Sequence, residues 1–273
     1  MIWKAALDGL ASVLFPAPCR ICGHALTNAS RIPICEHCLG GFERIIDPMC
    51  ACCGRPFVSS AVAQSPKPLC RLCRVDFYAF HRVRSFAIYD DSLSEAIVLL
   101  KYEQVRRLGG WFANRLADIA LAAPGDWRAD VVVPVPLHAD RQRERGYNQA
   151  ELIARPLAKR LGVDFESILL TRTTPRPPQL VLSRTEHWKS VRGAYAMREG
   201  RKVDNLRVLL VDDVLTTGAT LDACARALKK AGASVILGLT VARVRSSATA
   251  RGARVPPDGP KVPGQRSERT EHQ

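Results

Sequence analysis

The segment Val208–Thr220, VLLVDDVLTTGAT, constrains the fold of this chain more than any other stretch. It starts with four apolar, strand-favouring residues, passes through two adjacent carboxylates and a turn of threonines and glycine, and leads into a helical pattern. In an open α/β sheet, a buried parallel strand ends in a ligand loop, and the next helix presents its N-terminus there. The segment therefore predicts an α/β fold with a ligand loop at a strand end.

The turn has the chemistry of a phosphate site. The main-chain N–H groups of a first helical turn have no partners inside the helix and are partly positive, which favours an anion. Threonine hydroxyls add donors, and a glycine lets the backbone approach the ligand closely. We expect phosphate to bind at seven consecutive residues: Val214, Leu215, Thr216, Thr217, Gly218, Ala219 and Thr220.

Asp212 and Asp213 would repel a phosphate, but they suit a position one step back, where they accept hydrogen bonds from sugar hydroxyls. We assign them as the candidate catalytic residues. The whole element resembles the phosphoribosyl-pyrophosphate (PRPP) loop of type I phosphoribosyltransferases at all thirteen positions. The G-x-x-x-x-G-K-[ST] and G-x-G-x-x-G nucleotide motifs are missing. The competing interpretation is a buried strand with an acidic turn and a threonine-rich cap.

Nine of the ten cysteines lie between Cys19 and Cys73. Eight of them form four C-x-x-C pairs: Cys19/Cys22, Cys35/Cys38, Cys50/Cys53 and Cys70/Cys73. Two such knuckles close a tetrahedron around Zn²⁺, so four predict two structural zinc sites. Sequential pairing of the knuckles is the simplest arrangement, and the spacing leaves a crossed one open. A disulfide framework is the alternative. Cys52 is predicted to be a spectator, and Cys224 a small buried hydrophobe.

The formal net charge is +14. Two four-thiolate zinc sites would lower it to about +10, because ligating cysteines are deprotonated. A balance this basic suits an anionic partner such as a polyphosphate, nucleotide or nucleic acid, although a solvated basic surface explains it equally well.

No apolar run is long enough for a membrane span. Asp8 interrupts the apolar stretch of residues 1–18, so this stretch predicts a retained amphipathic helix rather than a signal peptide. We therefore expect a cytoplasmic protein.

The pattern divides the chain into three segments. Residues 1–80 are expected to form the helix and a double zinc ribbon, residues 81–245 an open parallel sheet flanked by helices, and residues 246–273 a disordered basic tail. Hydrophobic periodicity predicts strands at Val83–Tyr89, Asp130–Val135, Ile168–Thr171, Arg207–Asp212 and Ser234–Val244, and helices at Ser92–Tyr102, Arg106–Leu121, Tyr147–Leu161 and from the loop to Ala231.

Further stretches bear on identity: LLKYE at Leu99–Glu103, VVVPVPLHADRQRERGYNQAELIAR at Val131–Arg155, QLVLSR at Gln179–Arg184 and VRGAY at Val191–Tyr195. Together with the cysteine-rich N-terminus, these resemble the ComF family over about residues 10–245. ComF proteins are bacterial competence-associated proteins that join a double zinc ribbon to a phosphoribosyltransferase-like domain.

The resemblance implies roles for residues outside the loop. The residues implied to face pyrophosphate are Pro136, Leu137, His138, Arg141, Arg143 and Arg145. Exposed arginines near a helix start could equally be surface charge. Arg172 and Arg184 flank the segment equivalent to a mobile hood. Where relatives commonly carry Arg and Asn before the V-x-G-A-[FY] strand, this chain has His187 and Ser190. This departure weighs against efficient catalysis.

The resemblance leaves two functions open. One is a phosphoribosyl-binding protein that contributes to uptake or processing of single-stranded DNA in natural transformation, with DNA and a competence helicase as partners. The other is an active phosphoribosyltransferase that uses PRPP with Mg²⁺ and an acceptor the sequence does not identify. The cysteine-rich segment lacks an aromatic stacking series of the kind single-strand binders use, which counts against direct DNA contact there.

Overall fold

A computed structural model describes residues 17–26, 32–57, 67–174, 188 and 190–245. Four predicted features lie outside the described residues: the apolar part of the predicted N-terminal helix, the QLVLSR stretch, His187 and the 246–273 tail. In the part of the chain that is described, no helix is long and apolar enough to cross a bilayer.

The described elements alternate between strand and helix over most of the chain. The strands are β1 (Arg82–Ile88), β2 (Val131–Pro134), β3 (Asp164–Phe165), β4 (Leu170–Arg172), β5 (Tyr195–Met197), β6 (Arg207–Leu215) and β7 (Val235–Arg243). The helices are α1 (Glu36–Gly40), α2 (Asp91–Tyr102), α3 (Arg107–Ala122), α4 (Ala139–Arg145), α5 (Gln149–Leu161) and α6 (Ala219–Lys230), with a 3-10 turn at Cys73–Val75.

Five strands form a parallel sheet in the order β1-β7-β6-β2-β3, which confirms the predicted fold class. Successive side chains of a strand point to opposite faces, so both faces must be covered. Leu209 and Val211 belong to a core with α2, α3 and α5. Val208 and Leu210 belong to a second core with α6 and the β4–β5 hairpin. The sheet is therefore buried on both sides, with its ligand edge at the carboxyl ends of the strands.

The two halves of the cysteine-rich segment pack on opposite faces of the sheet. Cys19 belongs to the core on the α2–α3–α5 face, and Cys50 belongs to the core on the α6 face. The connection between them runs along the edge strand β1: Ile88 N–H donates to the Glu43 carbonyl (2.8 Å), and Ile45 N–H donates to the Phe86 carbonyl (3.1 Å). The ribbon thus covers an edge that would otherwise expose unpaired backbone groups.

Most predicted elements agree with the structure within one to three residues. Strand β6 runs to Leu215 instead of ending at Asp212, because Val214 and Leu215 pair with Ala242 and Arg243 of β7. The carboxylates therefore lie inside the strand rather than after it. The predicted strand at Ile168–Thr171 is displaced to β4, which pairs with β5 outside the main sheet.

Helix α4 was not predicted, because its sequence ADRQRER has no apolar periodicity. His138 accepts a hydrogen bond from Asp140 N–H at its start, and Gly146, at φ 77°, ends it. Local caps therefore make a helix from a stretch that the sequence indicated only as basic.

The predicted packing face of α6 is confirmed. Leu221, Ala225 and Leu228 are buried, and Cys224 lies among them with no exposed surface. Gly232, predicted to stop the helix, follows its end at φ 95°.

Candidate functional site

A cavity opens where β6 and β2 end, at the edge of the sheet where the sequence predicts a ligand. The residues of the Val208–Thr220 segment that line it are Asp212, Asp213, Val214, Thr216 and Thr220. The remaining residues of the predicted phosphate site, Leu215, Thr217, Gly218 and Ala219, are not among the lining residues. From the predicted pyrophosphate residues, the cavity wall includes Pro136, Leu137, His138, Arg141 and Arg145. The structure thus brings the two predicted groups of residues to one cavity.

The N-cap residue of α6 is Gly218, which has no side chain to offer to the N–H groups of the first helical turn. Gly218 adopts φ 85°, a conformation that favours glycine, and no side chain caps it. Ala219 N–H points to the Thr217 hydroxyl (3.3 Å), and Asp222 N–H closes the first helical bond onto the Gly218 carbonyl (2.9 Å). This geometry is suited to an anion at the cavity side of the turn.

Asp213 is held by two side chains from the α2–α3–α5 face. It forms an ion pair with Lys101 of α2, and Gln149 of α5 donates to its Oδ1 (3.2 Å). Burial alone would raise the pKa of Asp213, but the Lys101 ammonium and the hydrogen bonds from Lys101 and Gln149 bring that pKa below its usual value. Asp213 is therefore a fixed, ionised carboxylate.

Asp212 lies in a different environment on the other face. Its Oδ1 accepts the Asp213 backbone N–H (2.9 Å), and its carboxyl group lies near Tyr195 of β5 and Cys224 of α6. Burial, followed by the neighbouring Asp213 charge, raises the pKa of Asp212 well above its usual value. The pKa values of the two acids are therefore shifted in opposite directions, and their carboxyl groups face different parts of the cavity.

A polar relay joins Asp213 to the pyrophosphate side of the cavity. Arg145, the last residue of α4, donates to Oε1 of Gln149, whose amide in turn donates to Asp213. The Arg145 guanidinium also lies 4.7 Å from the ring centroid of Tyr102. Arg145 is therefore held over the cavity by hydrogen bonding and by stacking.

The GYNQ sequence that begins α5 fixes this arrangement. Gly146 allows the left-handed turn, and the Tyr147 hydroxyl donates to the Leu100 carbonyl in α2. The Asn148 side chain caps α5 through Ala150 N–H (3.0 Å) and donates to the Val135 carbonyl (3.0 Å). The motif thus ties the end of β2 to α2 and α5 and sets Gln149 in place.

The three arginines of α4 do not share one direction. Arg141 and Arg145 line the cavity, and Arg141 lies 3.7 Å from Glu144. Arg143 has a side chain that is 74% exposed, pairs with Asp140, and lies outside the cavity lining. Helical periodicity explains the difference, because residues two apart in a helix face different sides.

The β4–β5 hairpin closes the opposite wall of the cavity. Arg172 donates to the Tyr195 hydroxyl (3.3 Å), and both side chains line the cavity together with Ser190 and Val191. Burial raises the pKa of Tyr195, so its phenol stays protonated. Ser190, one of the two positions where the chain departs from the ComF pattern, therefore lies at the site.

Several residues of the site were not assigned from sequence. Lys101, Gln149 and Tyr195 lie in stretches whose family resemblance was noted, yet no site role was given to them. Each acts through a partner far away in the chain. Their position in the LLKYE, GYNQ and VRGAY stretches was the sequence signal that could have indicated a site role. These stretches do not specify which of their side chains face the cavity.

The eight C-x-x-C cysteines form two clusters, sequentially paired: Cys19, Cys22, Cys35 and Cys38 in the first, and Cys50, Cys53, Cys70 and Cys73 in the second. Within each cluster the sulfur atoms lie within 4.8 Å of one another. Two Sγ–Sγ distances are 3.7 Å, Cys22 to Cys35 and Cys53 to Cys70. This agrees with the roughly 3.8 Å edge of a zinc–thiolate tetrahedron and not with a disulfide of about 2.05 Å.

Both clusters fit structural zinc, because four thiolates leave no open position for chemistry. None of the ten cysteines, all of which the structure describes, forms a disulfide. Cys52 donates to the Phe80 carbonyl (3.9 Å) and is not part of either cluster, as predicted. Gly54 follows the third knuckle at φ 67°. A Cβ on this residue would lie 2.6 Å from the Val83 carbonyl oxygen, so the close approach requires glycine.

Two family models match parts of this chain. The family model for the phosphoribosyl transferase domain matches residues 148–258, and the model for the double zinc ribbon domain matches residues 10–74. A purine phosphoribosyltransferase from Pyrococcus horikoshii aligns with 49% of this chain and 83% of its own at 18% identity and a TM-score of 0.32. The family models and the fold together define a phosphoribosyltransferase-like protein with an N-terminal double zinc ribbon.

Curated relatives extend over most of the chain. The DNA utilization protein YhgH of Salmonella typhimurium is 29% identical over 224 residues, which cover 81% of this chain and 94% of the relative. Competence protein ComFC of Bacillus subtilis is 26% identical over 211 residues, which cover 73% and 79%. The chain is therefore similar to competence and DNA utilization proteins over most of its length.

Proposed function

We propose that the cavity binds PRPP as its Mg²⁺ complex. The observation that carries this proposal is the position of Asp212 and Asp213 one step behind a helix start whose N-cap is a glycine, with Thr216 and Thr220 at the same cavity. Ribose hydroxyls would hydrogen-bond to the carboxylates, and the 5-phosphate would bind at the turn before α6.

The diphosphate would bind on the other side of the ribose, at the end of β2. Pro136, Leu137 and His138 form the wall there, and Arg141 and Arg145 supply positive charge. Arg172 adds a third guanidinium from the hairpin. Guanidinium groups suit phosphate oxygens because their donors form a planar fork.

The proposal is tested by calorimetry with Mg²⁺ and PRPP. The Asp212→Asn/Asp213→Asn variant is expected to bind at least tenfold more weakly, since it loses two charge-assisted acceptors. Asp118→Asn, on the outer surface of α3, is the matched control and should bind like the wild type. Equal affinity in all three proteins would reject the assigned site.

For the cellular role, we propose a contribution to uptake or processing of single-stranded DNA. The support is the names of the relatives, which include DNA utilization proteins and competence proteins, and the net charge of +14. A competence helicase is the proposed protein partner. The four-thiolate zinc sites need reduced cysteines, which supports a cytoplasmic location.

Direct DNA contact is tested by the salt dependence of oligonucleotide binding. A protein that neutralises Z phosphates of a single strand gives a log–log slope of about −0.7Z. We expect a measurable slope with single-stranded oligonucleotides. No binding at low salt would mean that DNA is reached through the partner protein.

The alternative function is an active phosphoribosyltransferase. The C1–O bond of PRPP would break, pyrophosphate would leave with the bonding electron pair, and a nitrogen of the acceptor would form the new bond to C1. The guanidinium groups of Arg141, Arg145 and Arg172 at the cavity favour this function, because they would stabilise the charge on the leaving pyrophosphate. Pyrophosphate release with a panel of nucleobases tests it, and release that does not depend on any acceptor would indicate hydrolysis instead.

A further inference from the structure

Tyr78 packs directly against the turn before α6, from outside the cavity. Its hydroxyl donates to the Thr217 carbonyl (3.0 Å), and its Cε1 lies 2.9 Å from where a Cβ on Gly218 would stand. Phe80 stacks on the Tyr78 ring with centroids 4.6 Å apart. The absence of a side chain on Gly218 therefore serves two purposes: it permits the left-handed backbone and makes room for the Tyr78 ring.

The bond to Thr217 fixes the orientation of a peptide that matters for phosphate. In a trans peptide the carbonyl and the next N–H point in opposite directions. Because Tyr78 holds the Thr217 carbonyl on its own side, the Gly218 N–H is directed away from Tyr78. Burial raises the pKa of Tyr78, so the hydroxyl remains a donor at neutral pH and above.

Tyr78 belongs to a short segment that follows the last cysteine of the second zinc cluster and is hydrogen-bonded to α6. Ala79 N–H donates to Asp222 (2.7 Å), whose carboxylate is buried in the first turn of α6. Arg226 pairs with Asp222 (2.6 Å) and donates to the Phe77 carbonyl (3.1 Å). The position of Tyr78 is thus set by backbone and side-chain bonds on both sides of it.

The second zinc cluster also contacts the sheet beneath the loop. Buried Arg243 of β7, which pairs in register with Leu215, donates to the Cys53 carbonyl (2.7 Å). Val83 N–H donates to the Cys52 carbonyl (2.8 Å). The first zinc cluster lies on the opposite face of the sheet and belongs to the other core.

We propose that Tyr78 is a positioning residue that holds the turn before α6 in its phosphate-binding form, and that the second zinc cluster acts on ligand affinity through Tyr78. This inference rests on the proposed function, since it concerns the same phosphate position. It assigns to one half of the zinc ribbon a role in the binding site, in addition to its role in folding.

The test compares ribose 5-phosphate with inorganic pyrophosphate, because the two probes occupy different ends of the proposed site. Tyr78→Phe keeps the ring and removes the donor, so we expect about fivefold weaker binding of ribose 5-phosphate, the loss of about one net hydrogen bond. Pyrophosphate affinity should stay within about twofold. Tyr78→Leu, which also removes the ring, should weaken ribose 5-phosphate binding further.

Ser85→Ala is the matched control, because it removes another buried hydroxyl, bonded to Thr240 (2.6 Å). We expect no change in either affinity. Amide hydrogen exchange of residues 217–220 should become faster in Tyr78→Phe and not in Ser85→Ala. Equal weakening of both probes, as general destabilisation would cause, or no change in ribose 5-phosphate binding would reject the role of Tyr78.

The zinc part of the proposal is tested with one ligand substitution in each cluster. Cys73→Ser and Cys38→Ser should each lose one zinc per chain, but only Cys73→Ser should weaken ribose 5-phosphate binding. Adding Tyr78→Phe to Cys73→Ser should have less than its usual effect, because both changes act on the same contact. If Cys73→Ser cannot be purified, hydrogen exchange of wild-type residues 217–220 after chelation replaces it, with faster exchange expected.

The outcomes separate the two proposals. Failure of the wild-type protein to bind ribose 5-phosphate or PRPP overturns the proposed function. If the wild type binds, but Cys73→Ser and Cys38→Ser weaken ribose 5-phosphate binding equally or not at all, the coupling to the second zinc cluster is overturned.

Discussion

Asp212 and Asp213 are adjacent in β6, yet their carboxyl groups lie on opposite faces of the sheet. Asp213 is paired with Lys101 and Gln149 on one face, and Asp212 lies near Tyr195 on the other. Because strand side chains alternate, two neighbouring acids in one strand can be tuned independently. The pKa of Asp213 is lowered and that of Asp212 is raised. This division has consequences for binding and for stability.

Ligand binding is predicted to release a proton from Asp212. Ribose hydroxyls donate hydrogen bonds, which favour the ionised carboxylate and lower the raised pKa of Asp212 on binding. Calorimetry with ribose 5-phosphate at a series of pH values, in pairs of buffers with different heats of ionisation, should show a difference in proton release from that of the ligand phosphate alone (second pKa about 6). Asp212→Asn should remove the difference and Asp118→Asn should keep it. Proton uptake in the wild type would contradict this assignment.

Lys101→Met is predicted to destabilise the protein by about 3 kcal/mol at pH 7, because it leaves the buried Asp213 carboxylate without its charged partner. Since the pKa of Asp213 is lowered in the folded state, its contribution to stability is present above its unfolded pKa and is lost as the pH falls through the folded one. The difference between wild type and variant should therefore shrink in acid. Urea unfolding at a series of pH values measures it, and a constant difference would refute the pairing.

Arg145 and Arg143 provide a charge-matched comparison within one helix. Arg145→Gln is predicted to weaken binding of the Mg²⁺–PRPP complex about tenfold, the loss of one charge-assisted contact. Arg143→Gln removes the same charge from a side chain that lies outside the cavity, and it should change affinity by less than about twofold. Equal losses would mean that affinity follows net charge rather than the geometry of α4.

Gly109 and Gly110 provide a similar comparison for the packing of α3 on α5. A Cβ on Gly109 would lie 2.6 Å from the Leu152 carbonyl, whereas a Cβ on Gly110 meets no atom within 4 Å. Gly109→Ala should destabilise by about 2 kcal/mol through overpacking. Gly110→Ala should stabilise by roughly 0.5–1 kcal/mol through helix propensity. Thermal unfolding at fixed zinc concentration gives both values, and matching shifts would show that the helices do not approach so closely.

The sequence predicted those parts of the molecule in which neighbouring residues determine the structure. The strand–turn–helix at Val208–Thr220 and the C-x-x-C knuckles are local patterns, and both are found where they were expected. The pairing of the knuckles remained open in the sequence because two arrangements satisfy the same spacing. The structure settles it through the distances between sulfur atoms.

The contacts that complete the site depend on segments far apart in the chain. Gln149 reaches Asp213 across 64 residues, and Tyr78 reaches Thr217 across 139. Periodicity and propensity do not specify such contacts, because they arise from the order of strands in the sheet and from the packing of helices on it. The same reason explains why the split of the ribbon between the two faces was not predicted.

We propose that the cavity is a specific site for PRPP and not simply a basic surface that attracts phosphates. The most direct test measures the affinities of the wild-type protein for Mg²⁺–PRPP, ribose 5-phosphate and pyrophosphate under one set of conditions. We predict that PRPP binds at least tenfold more tightly than either fragment, and that each fragment competes with it, because the ribose links two adjacent subsites. An affinity for PRPP no greater than that for pyrophosphate would contradict the account.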